Sequence, residues 1–138
     1  MLSFNYLPPT LYYLYNNFVF CFSVLPEPQY RNAILDLHLY TVWTGASSIE
    51  EIVDITSTWG QDIRDLTPYY PVIVGEMSLG SSLGDAYTSE MRQMQADSQM
   101  TSFQQNALGY YFWGEKLEYF SEDWAFVDGF SYVKSFYL

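Results

Sequence analysis

The chain has 138 residues, with 16 acidic against 5 basic side chains and a formal net charge of -11. That length suits one domain with a modest core. The charge argues against binding nucleic acid or an anionic membrane surface, because too few cations are present to displace counterions. At 49% hydrophobic and 20% aromatic residues, the chain is too apolar for a solvated tail. A single cysteine, Cys21, and a single histidine, His38, exclude an internal disulfide, a cysteine-rich zinc site and a two-histidine metal site.

Residues 1 to 30 differ in composition from the rest and are read as a separate N-terminal segment. Residues 11 to 25 are nearly all apolar or aromatic, broken by Asn16 and Asn17. The run is shorter than the ~20 residues that cross a membrane, and it lacks the basic start of a signal peptide. Its part from 18 to 25 suits a buried strand, and Pro8-Pro9 and Pro26-Glu27-Pro28 punctuate its two ends. Residues 33 to 40, Ala-Ile-Leu-Asp-Leu-His-Leu-Tyr, form a strand-like run. Ser47 and Ser48 then stand three residues before Glu50 and Glu51, giving two overlapping capping boxes. Ile49, Ile52, Val53, Thr56, Trp59, Ile63 and Leu66 follow at helical spacing.

Pro71 opens a second strand over 72 to 76. Asp85 or Thr88 starts a second helix that runs to about residue 108, with Met91, Met94 and Met100 facing the core. Gly109 ends that helix, and a third strand occupies 110 to 113. The acidic residues Glu115, Glu118, Glu122 and Asp123 read as a solvated loop. Short apolar strands alternating with helices predict an α/β fold with parallel pairing and crossover helices. No glycine-rich phosphate loop is present.

The spacing of strand ends points to a site. His38, Glu76 and Trp113 each fall at the C-terminal end of a predicted strand, 38 and 37 residues apart. Parallel neighbours bring such ends to one rim, where α/β sheets and barrels bind ligands. His38 and Tyr40, two apart on one strand, share a face. On residue types alone, each could equally be an ordinary strand-end residue in a plain structural domain.

Three segments carry a more specific signal. Val72-Ile73-Val74-Gly75-Glu76-Met77-Ser78-Leu79 resembles the seventh-strand motif of glycoside hydrolase family 5, in its fungal-type exo-β-1,3-glucanase branch. Leu35-Asp36-Leu37-His38-Leu39-Tyr40 is similar to the sixth-strand motif of that family. Tyr111-Phe112-Trp113-Gly114-Glu115-Lys116-Leu117-Glu118, with Trp124 and Asp128-Gly129 downstream, is similar to the eighth-strand region. The three occur in the family's order and cover about residues 32 to 130.

The resemblance implies a (β/α)8 TIM barrel, of which residues 31 to 138 would be the C-terminal half, from about strand five or six to strand eight. A whole barrel takes about 250 residues. Residues 18 to 25 would then stand in for strand five. The implied activity is hydrolysis of a β-glucan with retention, in polysaccharide catabolism or cell-wall remodelling, using carboxylates and water and no cofactor. Glu76 would be the nucleophile, one of two carboxylates about 5 to 5.5 Å apart. His38 and Tyr40 would line the reacting sugar's subsite, with the Tyr40 hydroxyl on the nucleophile, and Trp113 would be an aromatic platform. Lys116 and Glu118 match positions beside the cleft. The family expectation for location is extracellular or at the cell wall.

The sequence also departs from the pattern. Met77 stands where the family has Trp, which predicts looser packing behind the nucleophile. Gly114-Glu115 stands where a second Trp is common. The family's acid/base glutamate lies in an Asn-Glu-Pro motif, and Glu27-Pro28 is too near His38 to match it. These departures leave open a carbohydrate-binding remnant without turnover. An open half barrel would expose strand edges, which predicts self-association or pairing with an N-terminal half barrel.

Overall fold

The structure is a computed structural model and describes residues 34 to 133 other than 116 and 119. The expectations for residues 1 to 30, for a strand at 18 to 25, for Cys21, for Glu27-Pro28 and for Lys116 lie outside the described residues. All described residues but Ile34 belong to one compact unit beginning at Leu35.

Three strands, β1 (Leu35–Leu39), β2 (Val72–Met77) and β3 (Tyr110–Phe112), form a parallel sheet in the order β1-β2-β3. Two helices, α1 (Ile49–Leu66) and α2 (Ser89–Asn106), connect them, and a third, α3 (Phe126–Val133), follows. This is a β-α-β-α-β unit, as the alternation of patterns predicts.

The helix boundaries follow from local chemistry. Ser48 caps α1 by accepting from the Glu51 N–H at 3.3 Å, while the Glu51 carboxylate accepts from the Ser47 N–H at 2.6 Å. That second bond lowers the Glu51 pKa. Pro68 follows the C-cap Thr67 and cannot continue the helix. Thr88 caps α2 by accepting from the Met91 N–H at 3.3 Å. The helix ends at Asn106, two residues before the expected stop, because Ala107 is already extended.

β2 lies between two strands, and its Val72, Val74 and Met77 are fully buried with Leu37, Ile52, Ile63, Met100 and Phe103. Burying each such side chain contributes about 1.5–3 kcal/mol. Met100 is core, as expected, and Met91 packs partly against Ala46, Ile49 and Ile52. Met94 is exposed, contrary to expectation. The buried stripe of α2 runs through Gln95, Ala96, Gln99, Met100 and Phe103, and Met94 lies off it. Gln95 and Gln99 are buried because both side-chain amides donate to the Ser78 carbonyl, at 3.4 and 3.2 Å. Gln95 also donates to Thr41 Oγ1 at 2.9 Å.

Candidate functional site

The helices cover one face of the sheet, and the other carries the polar residues. Along β1, Leu35, Leu37 and Leu39 are buried while Asp36 and His38 are exposed, so Asp36, His38 and Tyr40 share the open face. Simple alternation along β2 would put Glu76 with Val72 and Val74, on the helix side. A bulge prevents this. Leu37 pairs with Val74 but His38 pairs with Glu76, so Gly75 is the extra residue. The bulge turns Glu76 to the open face and returns Met77 to the core. A Cβ on Gly75 would overlap Asp36 Oδ1 and stand 2.6 Å from Asp36 Cγ, so the Asp36 carboxylate fills the space the glycine leaves.

His38, Tyr40 and Glu76 come together at the C-terminal rim. The Tyr40 hydroxyl donates to Glu76 Oε2 at 2.7 Å, and His38 Nδ1 lies 3.2 Å from the same oxygen. Among the described residues no hydrogen bond reaches Glu76 Oε1. The Glu76 side chain is 28% exposed, enough for a ligand to reach it. Burial, then the hydrogen bond to Glu76 and its charge, push the Tyr40 hydroxyl well above the ordinary phenol range, so Tyr40 is a lasting donor.

Aromatic rings flank the carboxylate. Tyr40 meets Trp43 edge-on at 4.8 Å between centroids and Trp124 at 5.8 Å. Trp43 and Trp124 are 6.4 Å apart, and Trp43 is 73% exposed. Trp124 rests against Gly80, where a Cβ would come within 2.7 Å of its ring. The rim is tied down behind these rings. Thr41 Oγ1 donates to the Gly80 carbonyl at 2.7 Å, and the Leu79 N–H donates to the Asp123 carbonyl at 2.9 Å.

Trp113 follows β3, with its N–H donating to the Met77 carbonyl at 2.7 Å. Phe112 pairs with Met77 on the helix side, so alternation puts exposed Tyr111 on the open face with Glu76, and Trp113, one residue past the strand, is exposed as well. Glu118 is exposed on the loop beyond, and no bond among the described residues joins it to Glu76. Glu122 and Asp123 are not simply solvated, contrary to expectation. Arg92 reaches across from α2, with Nε donating to Asp123 Oδ1 at 2.6 Å and Nη1 lying 3.5 Å from Glu122 Oε2. Met77, which stands where the family has Trp, is fully buried.

Sequence reasoning missed Asp36 and Trp43 as members of this rim. Asp36 was legible as the first of three alternating polar residues on the strand, and Trp43 as an aromatic just past its end. No cluster of three or more histidine, cysteine or acidic residues suited to a metal occurs among the described residues. Nor is any described helix long and apolar enough to cross a membrane. A scan of the chain against protein-family profiles and a search of curated proteins found no match.

Proposed function

We propose that this chain carries the nucleophile half of a retaining β-glycosidase of the glucan exo-1,3-β-glucosidase type, within a (β/α)8 barrel. The observation that carries the reading is a carboxylate at the C-terminal rim of a parallel sheet, with one oxygen held and no hydrogen bond to the other among the described residues. Tyr40 and His38 meet Oε2, which leaves Oε1 to attack an anomeric carbon. In that step Oε1 forms the new bond to carbon, and the leaving oxygen takes a proton from an acid. Water then releases the sugar with the original stereochemistry.

The open sheet face supports the barrel reading. Parallel sheets occur almost only with both faces covered, and here Asp36, His38 and Tyr111 remain exposed on the second face. In a barrel that face lines the interior. The acid/base carboxylate would come from a further segment. Flat aromatic surface beside Glu76, from Trp43, Tyr40 and Trp124, suits the apolar face of a pyranose ring. The substrate in this reading is an extracellular or cell-wall β-glucan, and the chemistry needs no cofactor.

The test is hydrolysis of laminarin and aryl β-glucosides by the native-length protein that contains this chain. Glu76→Gln should abolish turnover, with sugar binding kept. Full activity in Glu76→Gln would overturn the reading. Binding without turnover in the unaltered protein would favour a carbohydrate-binding remnant.

A further inference from the structure

We propose that Asp36 is a positioning residue for Glu76, acting through the ring of His38. Two observations converge on it. First, the His38 ring is approached on both nitrogens by carboxylates from two strands: Nε2 lies 3.5 Å from Asp36 Oδ2, and Nδ1 lies 3.2 Å from Glu76 Oε2. The 3.5 Å separation is long for a hydrogen bond but within reach of an ion pair. Second, the Asp36 carboxylate occupies the space over Gly75, where a side chain on β2 would exclude it. The bulge that turns Glu76 outward therefore also makes the room in which Asp36 sits.

The physical need for such a brace lies in the exposure of the ring. His38 and Asp36 side chains are 49% and 50% exposed. Rotation about the Cβ–Cγ bond of a histidine is broad and roughly two-fold. A ring held at one nitrogen only can turn its other edge to Glu76 or swing toward water. A second contact on the far nitrogen fixes the edge presented to Oε2. Tyr40 then shares that oxygen with a ring that does not wander, and Oε1 keeps one direction.

His38 is the chain's single histidine, which makes the inference directly measurable. The chain is labelled with ring 15N-histidine and carboxyl 13C-glutamate and studied by magic-angle-spinning NMR, which reads soluble and sedimented protein alike. In the unaltered chain, His38 Nδ1 should show dipolar dephasing by a glutamate carboxyl carbon. Asp36→Ala should remove that dephasing and move the Nδ1 as well as the Nε2 resonance. Asp36→Asn keeps an acceptor oxygen and should restore part of the dephasing. Circular dichroism of the helices should be the same in all three. Retained Nδ1 dephasing in Asp36→Ala, or none in the unaltered chain, would overturn the proposal.

The importance of the brace for turnover rests on the reading of Glu76 as nucleophile, but the ring measurement does not. An active Glu76→Gln protein would defeat the nucleophile and leave the brace standing. An Nδ1 signal indifferent to Asp36 would defeat the brace alone.

Discussion

Gly75→Ala tests the packing that turns Glu76 outward, and its effect depends on Asp36. Gly75 is not among the glycines with positive φ, which are Gly45, Gly84 and Gly114, so its backbone admits alanine. The smaller unfolded-state entropy of alanine then favours folding by about 0.4–1 kcal/mol. Against this, the new Cβ overlaps Asp36 Oδ1 and stands 2.6 and 2.7 Å from Asp36 Cγ and Oδ2. Asp36 can turn into water and give up His38, an exposed pair worth ~0–1 kcal/mol. If β2 shifts instead, overpacking costs about 1–3 kcal/mol. The single substitution should therefore be neutral or destabilising by roughly 1 kcal/mol. With Asp36→Ala already present, the overlap is gone and Gly75→Ala should stabilise by about 0.4–1 kcal/mol. Urea unfolding of the four proteins in the cycle measures the difference. Additivity within about 0.5 kcal/mol would refute the proposed overlap.

Four other outcomes follow from the geometry. Ser48→Ala removes the α1 cap and should lower stability by ~1 kcal/mol in urea unfolding. Arg92→Met leaves Asp123 and Glu122 without their cation. Arg92 is 12% exposed but its partners are about one third exposed, so the loss should be roughly 1–3 kcal/mol, below that for a fully buried pair, with a change in Trp124 fluorescence. Tyr40 and Tyr87 have raised pKa values, chiefly through burial. Stability from these hydroxyls is full below the ordinary tyrosine pKa of about 10. Above it the unfolded chain loses protons that the folded one keeps, so stability should fall, by up to ~1.4 kcal/mol per pH unit for the more buried Tyr87 and by less for the solvent-screened Tyr40; Tyr87→Phe should flatten the fall measured by urea unfolding between pH 10 and 12. On the proposed function, Tyr40→Phe in the native-length protein removes a bond to a charged acceptor and should lower kcat/KM roughly 10- to 100-fold.

Strong local signals made most elements legible. The serine and threonine caps, Gly109 after α2 and the apolar runs mark the helices and strands to within about two residues, as such boundaries allow. The order of the strands followed from short parallel crossovers. That His38 and Glu76 share a rim was legible from their place at strand ends, and Tyr40 from the face it shares with His38, but the Tyr40–Glu76 bond was expected only from the resemblance. The bulge at Gly75 was not, because period-two alternation along β2 assigns Glu76 to the wrong face. Gln95 and Gln99 broke the apolar stripe of α2, since their burial depends on a carbonyl at Ser78, far away in sequence. The same is true of Arg92, whose acidic partners lie about 30 residues on and read locally as a surface loop.

Covalent trapping tests directly whether Glu76 is the nucleophile. The native-length protein is incubated with an activated fluoro-β-glucoside, which forms the glycosyl-enzyme but releases it slowly, and is then digested and mapped by mass spectrometry. If Glu76 is the nucleophile, one sugar adduct per protein is expected, on the peptide containing Glu76 and on that side chain. An adduct on another carboxylate, or turnover of the unfluorinated glucoside with no adduct at Glu76, would contradict it.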